Sequence, residues 1–116
     1  MNLRDVVAEL GLAVLTGEAG LDREATGGYC SDLLSDVMAH ARPGDVWITL
    51  QTHPNVVAVA SLTNVAAVVA SGGQRPEAAS LARAANEGVV ILASDQPSFE
   101  LAGRLHALLA AGQQAR

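Results

Sequence analysis

Three short stretches of this chain are rich in β-branched and aliphatic residues and show no alternation with polar ones: Val46-Trp47-Ile48-Thr49-Leu50, residues 65–70, and Val89-Val90-Ile91-Leu92. A strand with one wet face alternates apolar and polar residues, so strands like these are covered on both faces. Between them lie stretches with helical signals. Pro54 suits the first turn of a helix over residues 55–63, and that stretch is apolar on nearly every side, which implies burial. Residues 76–87 form a second helix, with Arg83 and Glu87 at i, i+4 on its outer side and Gly88 as its stop. Asp95 and Pro97 open a last helix with Phe99, Ala102, Leu105 and Leu109 as its inner face and Gly112 at its end. Strand and helix in alternation define βαβ units. The expected fold is α/β, three-layer α/β/α with a mostly parallel central sheet.

The first half reads less regularly. Leu3, Val6, Val7 and Leu10 fall at i, i+3, i+4, i+7, with Asn2 as cap and Gly11 as stop. Residues 12–16 make a short strand and 17–22 a loop. Thr26-Gly27-Gly28 is a tight element leading into a strand at Tyr29 and Cys30, after which Ser31 or Asp32 caps a helix through about His40. That helix would turn Leu33, Leu34, Val37 and Met38 inward, before turn chemistry at Pro43-Gly44-Asp45. No linker or repeat divides the 116 residues, so residues 1–112 are expected as one domain, with 113–116 a frayed tail.

Several functions are disfavoured. The net charge is −5, and all seven basic residues are scattered arginines, so there is no basic face for nucleic acid. The longest uninterrupted apolar run is six residues, whereas a membrane span needs about 20. The charged start, Asn2-Leu3-Arg4-Asp5, does not read as a secretory signal, so a cytoplasmic protein is expected. Cys30 is the one cysteine and reads as a small buried hydrophobe. His40, His53 and His106 show no ligand spacing, so no metal and no cofactor is expected. There is no GxxxxGK[ST], GxGxxG or GxSxG motif, and no spacing that sets a nucleophile, base or metal. No catalytic residues are assigned, and the chain is expected not to be an enzyme.

Two segments carry the candidate ligand-binding residues. The first holds Arg23, Thr26, Gly27 and Gly28, followed by Ser31 and Asp32. Paired glycines permit positive φ, and their backbone N–H groups with a following helix N-terminus suit an anion. An Asp22–Arg23 salt bridge with a tight turn would serve structure alone. The second is Thr49, Gln51, Thr52 and His53, at the C-terminal end of a parallel strand, where α/β sheets place ligands. Thr52 or His53 could instead simply cap the helix. A parallel sheet would bring these loops together at one edge.

Asp22-Arg23, Thr26-Gly27-Gly28, Ser31-Asp32-Leu33-Leu34 and Gly44-Asp45-Val46-Trp47-Ile48-Thr49 together resemble the DRTGG domain, over about residues 3–109. Here Glu24-Ala25 separate Arg23 from the Thr-Gly-Gly. The resemblance implies a fold similar to the N-terminal domains of HPr kinase/phosphorylase and of Mur ligases. It also implies a regulatory role beside phosphotransacetylase or CBS domains, and no catalytic residues. Phosphotransfer would need a phosphate cradle, and none is visible. The expected function is a non-catalytic regulatory module binding a small anionic ligand such as a nucleotide. The alternative is an oligomerisation or protein-docking module with no small ligand. Its apolarity with few charges implies a homodimer, with a signalling or metabolic protein as a further partner and neither nucleic acid nor membrane.

Overall fold

The computed structural model describes residues 1–114. The helices are α1 (Leu3–Leu10), α2 (Leu34–His40), α3 (Asn55–Thr63), α4 (Ala78–Glu87) and α5 (Ser98–Gln114); the strands are β1 (Ala13–Thr16), β2 (Gly27–Cys30), β3 (Asp45–Thr49), β4 (Ala67–Ala70) and β5 (Ile91–Ala93). The strands form one sheet in the order β1-β5-β4-β3-β2. The pairs β2–β3, β3–β4 and β4–β5 are parallel, and β1 lies antiparallel to β5. The sheet is mostly parallel, as the unalternated strands require.

Successive residues of each central strand serve two different cores. Val46 and Ile48, Ala67 and Val69, and Val90 and Leu92 pack with α1 and α5. Trp47, Val68 and Ile91 pack on the other face with Val37 of α2, four residues of α3 and Ala84 of α4. Each fully buried Val, Ile or Leu contributes roughly 1.5–3 kcal/mol by leaving water. Trp47, with no exposed surface, also donates its indole N–H to the Ser31 carbonyl at 2.9 Å.

All three crossovers, α2, α3 and α4, lie on one face. The chain steps from β2 at the edge inward to β5 without reversing direction. A crevice at a reversal of strand order, the usual ligand site of open α/β sheets, therefore does not form among the parallel strands.

Five details differ from the sequence expectations. In α5 the inner stripe is Leu101, Leu105 and Leu109; Phe99 stands in the first turn, 85% exposed. The two stripes share Leu105 and Leu109; at the helix start Phe99 and Leu101, two residues apart, project to nearly opposite sides. Gly112 does not end α5, which runs to Gln114; residues 115–116 of the expected tail lie outside the described residues. In α2 only Val37 is buried, and Leu33 and Met38 face outward. In α3, burial is confined to Val56, Val57, Val59 and Ala60, and Leu62 is exposed. Cys30 is exposed, because β2 is an edge strand. Asn2 caps α1 through Asp5 N–H at 3.0 Å and Gly11 stops it in the left-handed region, as expected.

Candidate functional site

Gly27 and Gly28 lie within β2, paired in register with Asp45 and Val46, and neither has a positive φ. Their absent side chains serve packing. A Cβ on Gly27 would stand 2.6 Å from Asp45 Oδ1, and one on Gly28 would stand 3.0 Å from Leu105 Cδ2 of α5. Gly44 has φ +87°, and a Cβ there would collide with Thr26 Oγ1. Thr26 N–H donates to the Gly44 carbonyl at 3.0 Å, and Asp45 Oδ2 accepts the Arg42 N–H at 2.8 Å. Thr26-Gly27-Gly28 and Gly44-Asp45 are thus two halves of one lock, which starts the β2–β3 ladder. The positive φ expected at the glycines is not adopted. Their conformations are extended, and no helix starts beside them.

Arg23 stands apart. Its guanidinium donates to the Gly88 carbonyl at 2.9 Å, at the C-terminal end of α4, where a cation is favoured by the helix dipole. Asp22 pairs with Arg4 at 3.3 Å rather than with its neighbour. Backbone bonds from Leu3 N–H to the Arg23 carbonyl and from Ala25 N–H to the Met1 carbonyl tie this segment to the start of α1. Arg23, Thr26 and Gly27 therefore sit at the N-terminal ends of the parallel strands. They do not join the loops at the opposite edge.

That opposite edge does gather Asp32, Thr49 and Gln51. Asp32 Oδ1 accepts the Thr49 hydroxyl at 3.0 Å and the Leu50 N–H at 2.7 Å. Gln51 donates from Nε2 to the Asp32 carbonyl at 3.0 Å and from its backbone N–H to Thr49 Oγ1 at 3.2 Å. Neither Ser31 nor Asp32 caps α2, whose cap position is Leu33; Ser31 Oγ instead accepts the Leu33 N–H at 3.2 Å. His53 Nδ1 accepts the Asn55 N–H at 3.0 Å in the first turn of α3, which gives it a local capping job. The Thr52 carbonyl accepts from Ser80 Oγ at 2.7 Å and from Glu77 N–H at 3.1 Å, which joins this loop to α4. Asp32, Thr49 and Gln51 are thus bonded to one another and to the backbone, whereas the buried Gln96 Oε1, in the loop after β5 at this edge, has no partner among the described residues.

One cluster was not singled out from the sequence. The Tyr29 hydroxyl donates to Asp36 Oδ2 at 2.7 Å, and Asp36 Oδ1 lies 3.1 Å from His40 Nδ1. The Asp36–His40 spacing of i, i+4 was legible; the reach of Tyr29 from β2 was not. The bond to Asp36 pushes the Tyr29 phenol above its ordinary 10.0. The same bond, helped by the Ser31 hydroxyl and His40, holds Asp36 below its ordinary 3.8. With its folded value raised, Tyr29 contributes stability in full below its unfolded value and loses it as the pH rises through the folded one. Asp36, lowered, contributes above its unfolded value and loses it as the pH falls. Tyr29 is the one tyrosine of the chain, so an absorbance titration reads it directly. It is expected to ionise above pH 10.0, and Asp36→Asn is expected to bring that midpoint down. An unshifted wild-type titration would contradict the bond.

Two concavities flank β2. On the α5 side an apolar groove of about 190 Å³ is lined by Gly28, Tyr29, Cys30, Ile48, Ala102, Leu105, His106 and Leu109. On the α2 side a polar cleft is bordered by Thr26, Gly27, His40, Arg42 and Asp45. Among the described residues no group of three or more His, Cys, Asp or Glu is placed to hold a metal ion. No helix there is long and apolar enough to cross a membrane.

The chain is an α/β domain whose mostly parallel sheet carries an interlocked Thr-Gly-Gly and Gly-Asp at the start of its edge ladder. The chain matches the DRTGG domain family over residues 5–108, and it belongs to that family. No curated protein matches it. Among solved structures it is similar to the CBS and DRTGG domains of the regulatory region of Clostridium perfringens pyrophosphatase, complexed with the activator diadenosine tetraphosphate. The TM-score is 0.65 at 13% identity, over 86% of this chain and 44% of that one. This likeness shows the fold.

Proposed function

We propose that this domain is a non-catalytic regulatory module that acts by docking a protein surface along its β2 edge. One observation carries the reading. Candidate residues at the two loops bond within the domain: Thr49 and Gln51 with Asp32, and Arg23 with the Gly88 carbonyl. The β2 edge, with its apolar groove, is left open. A second reading, a module that binds a nucleotide, is favoured by the similar regulatory region, which is complexed with diadenosine tetraphosphate. A thermal-shift screen against nucleotides, sugar phosphates and acyl phosphates separates the two. A ligand at 100 times its dissociation constant adds about 2.7 kcal/mol, or roughly 11 °C for a domain of this size. A flat screen is the expected outcome, and a nucleotide-dependent rise of that order would overturn the docking reading.

A further inference from the structure

β2 is the edge strand of the sheet, and it contains no charged residue or proline to discourage pairing. Ser31 N–H donates to the Ile48 carbonyl at 3.2 Å, so the odd-numbered residues of this segment turn their backbone groups toward β3. The alternation of the ladder then turns the N–H and C=O groups of Gly28 and Cys30 to the open edge. Both residues are exposed. An edge that needs donors and acceptors in extended register is completed by another strand.

We infer that the strand is β2 of a second copy of this chain, running antiparallel across a twofold axis at Tyr29. The inference rests on the docking reading above and names its partner. In this register Gly28 of one copy faces Cys30 of the other. All four outward backbone groups of each copy then pair, whereas shifting by one step in either direction leaves some of them unmatched. The same register brings Asp32 opposite the partner's Thr26. Arg42 borders the cleft that holds Thr26, and its guanidinium makes no ion pair among the described residues. Asp32 takes the Thr49 and Leu50 bonds on Oδ1, and Oδ2 faces no cation among those residues. The dyad therefore sets an unpaired Arg42 beside an unpaired Asp32 twice, at the two ends of the new ladder. That charge complementarity belongs to the antiparallel arrangement, because a parallel pair would set like ends together. On the α5 side, the apolar grooves of the two copies meet across the axis.

The register is testable with the full chain. Sedimentation equilibrium at micromolar concentration is expected to give twice the 11.9 kDa chain mass. Arg42→Glu is expected to weaken the dimer at least tenfold. Cys30→Pro, which removes an outward N–H and spares the bonds to β3, is expected to give monomer with unchanged far-UV circular dichroism. In a Cys30→Ser background, Tyr29→Cys places two thiols at a non-hydrogen-bonded pair with Cα atoms about 4.5 Å apart. That lies within disulfide range, so oxidation is expected to give a covalent dimer. The native Cys30 pair would stand about 8 Å or more apart and should not cross-link. A wild-type chain sedimenting at 11.9 kDa, or a dimer that Tyr29→Cys fails to lock, would overturn the inference. A monomer with a flat ligand screen defeats self-pairing alone, whereas a nucleotide-dependent shift defeats the docking reading itself.

Discussion

Replacing Gly44 by alanine is expected to destabilise the domain by at least about 2 kcal/mol, with a fall in melting temperature of roughly 8 °C. Two effects add. The backbone at Gly44 has φ +87°, which an L side chain adopts only under strain of about 1–3 kcal/mol. The new Cβ would also collide with Thr26 Oγ1, whose residue is fixed by its own N–H bond to the Gly44 carbonyl. Gly11 supplies the control. It has φ +65° at the end of α1, and a Cβ there meets nothing within 4 Å. Gly11→Ala therefore reports strain alone, about 1 kcal/mol. The excess at Gly44 is the contact. Urea unfolding followed by the fluorescence of Trp47, the one tryptophan and fully buried, measures both. Equal losses at the two glycines would contradict the lock.

Asp32→Ala is expected to be the next most damaging change, by about 2 kcal/mol. It removes the acceptor of the Thr49 hydroxyl and of the Leu50 N–H together. Leu50 is exposed and water can replace its bond, but Thr49 has no exposed surface, so its hydroxyl proton loses its partner in a dry place. Asp32→Asn keeps an oxygen at the same position and should recover about half of the loss. The urea dependence of unfolding, again read at Trp47, is expected to keep its slope and move its midpoint. Loss of less than about 0.5 kcal/mol on Asp32→Ala would show that the loop does not depend on this carboxylate.

The architecture was legible because its signals are of the kind that burial enforces. Unalternated strands such as Val89 to Leu92 can sit only in a sheet covered on both faces, and the structure puts their successive residues in opposite cores. Asn2, Gly11 and Gly88 mark helix ends through local chemistry that no tertiary contact overrides. The phase of α5 was less legible. Phe99 is the most apolar residue of its first turn, yet burial of Leu101 one position-pair later rotates it out. The grouping of site residues was the least legible feature. Glycine is chosen both where φ must be positive and where a neighbour needs its Cβ volume, and Gly27 and Gly28 serve the second purpose next to Asp45 and Leu105. A sequence does not say which. Nor does it say that Arg23 reaches across to Gly88 and so leaves the edge where Asp32, Thr49 and Gln51 meet.

The central claim is that Thr26-Gly27-Gly28 and Gly44-Asp45 lock together and so hold the sheet edge. Its most direct test is a double-mutant cycle on Thr26→Ala and Gly44→Ala. Removing the Thr26 hydroxyl opens the space into which the new Cβ at position 44 would point. The double variant is therefore expected to be more stable than the sum of the single losses predicts, by about 1 kcal/mol or more. Additive losses within about 0.3 kcal/mol would mean that the two residues do not meet, and would contradict the lock.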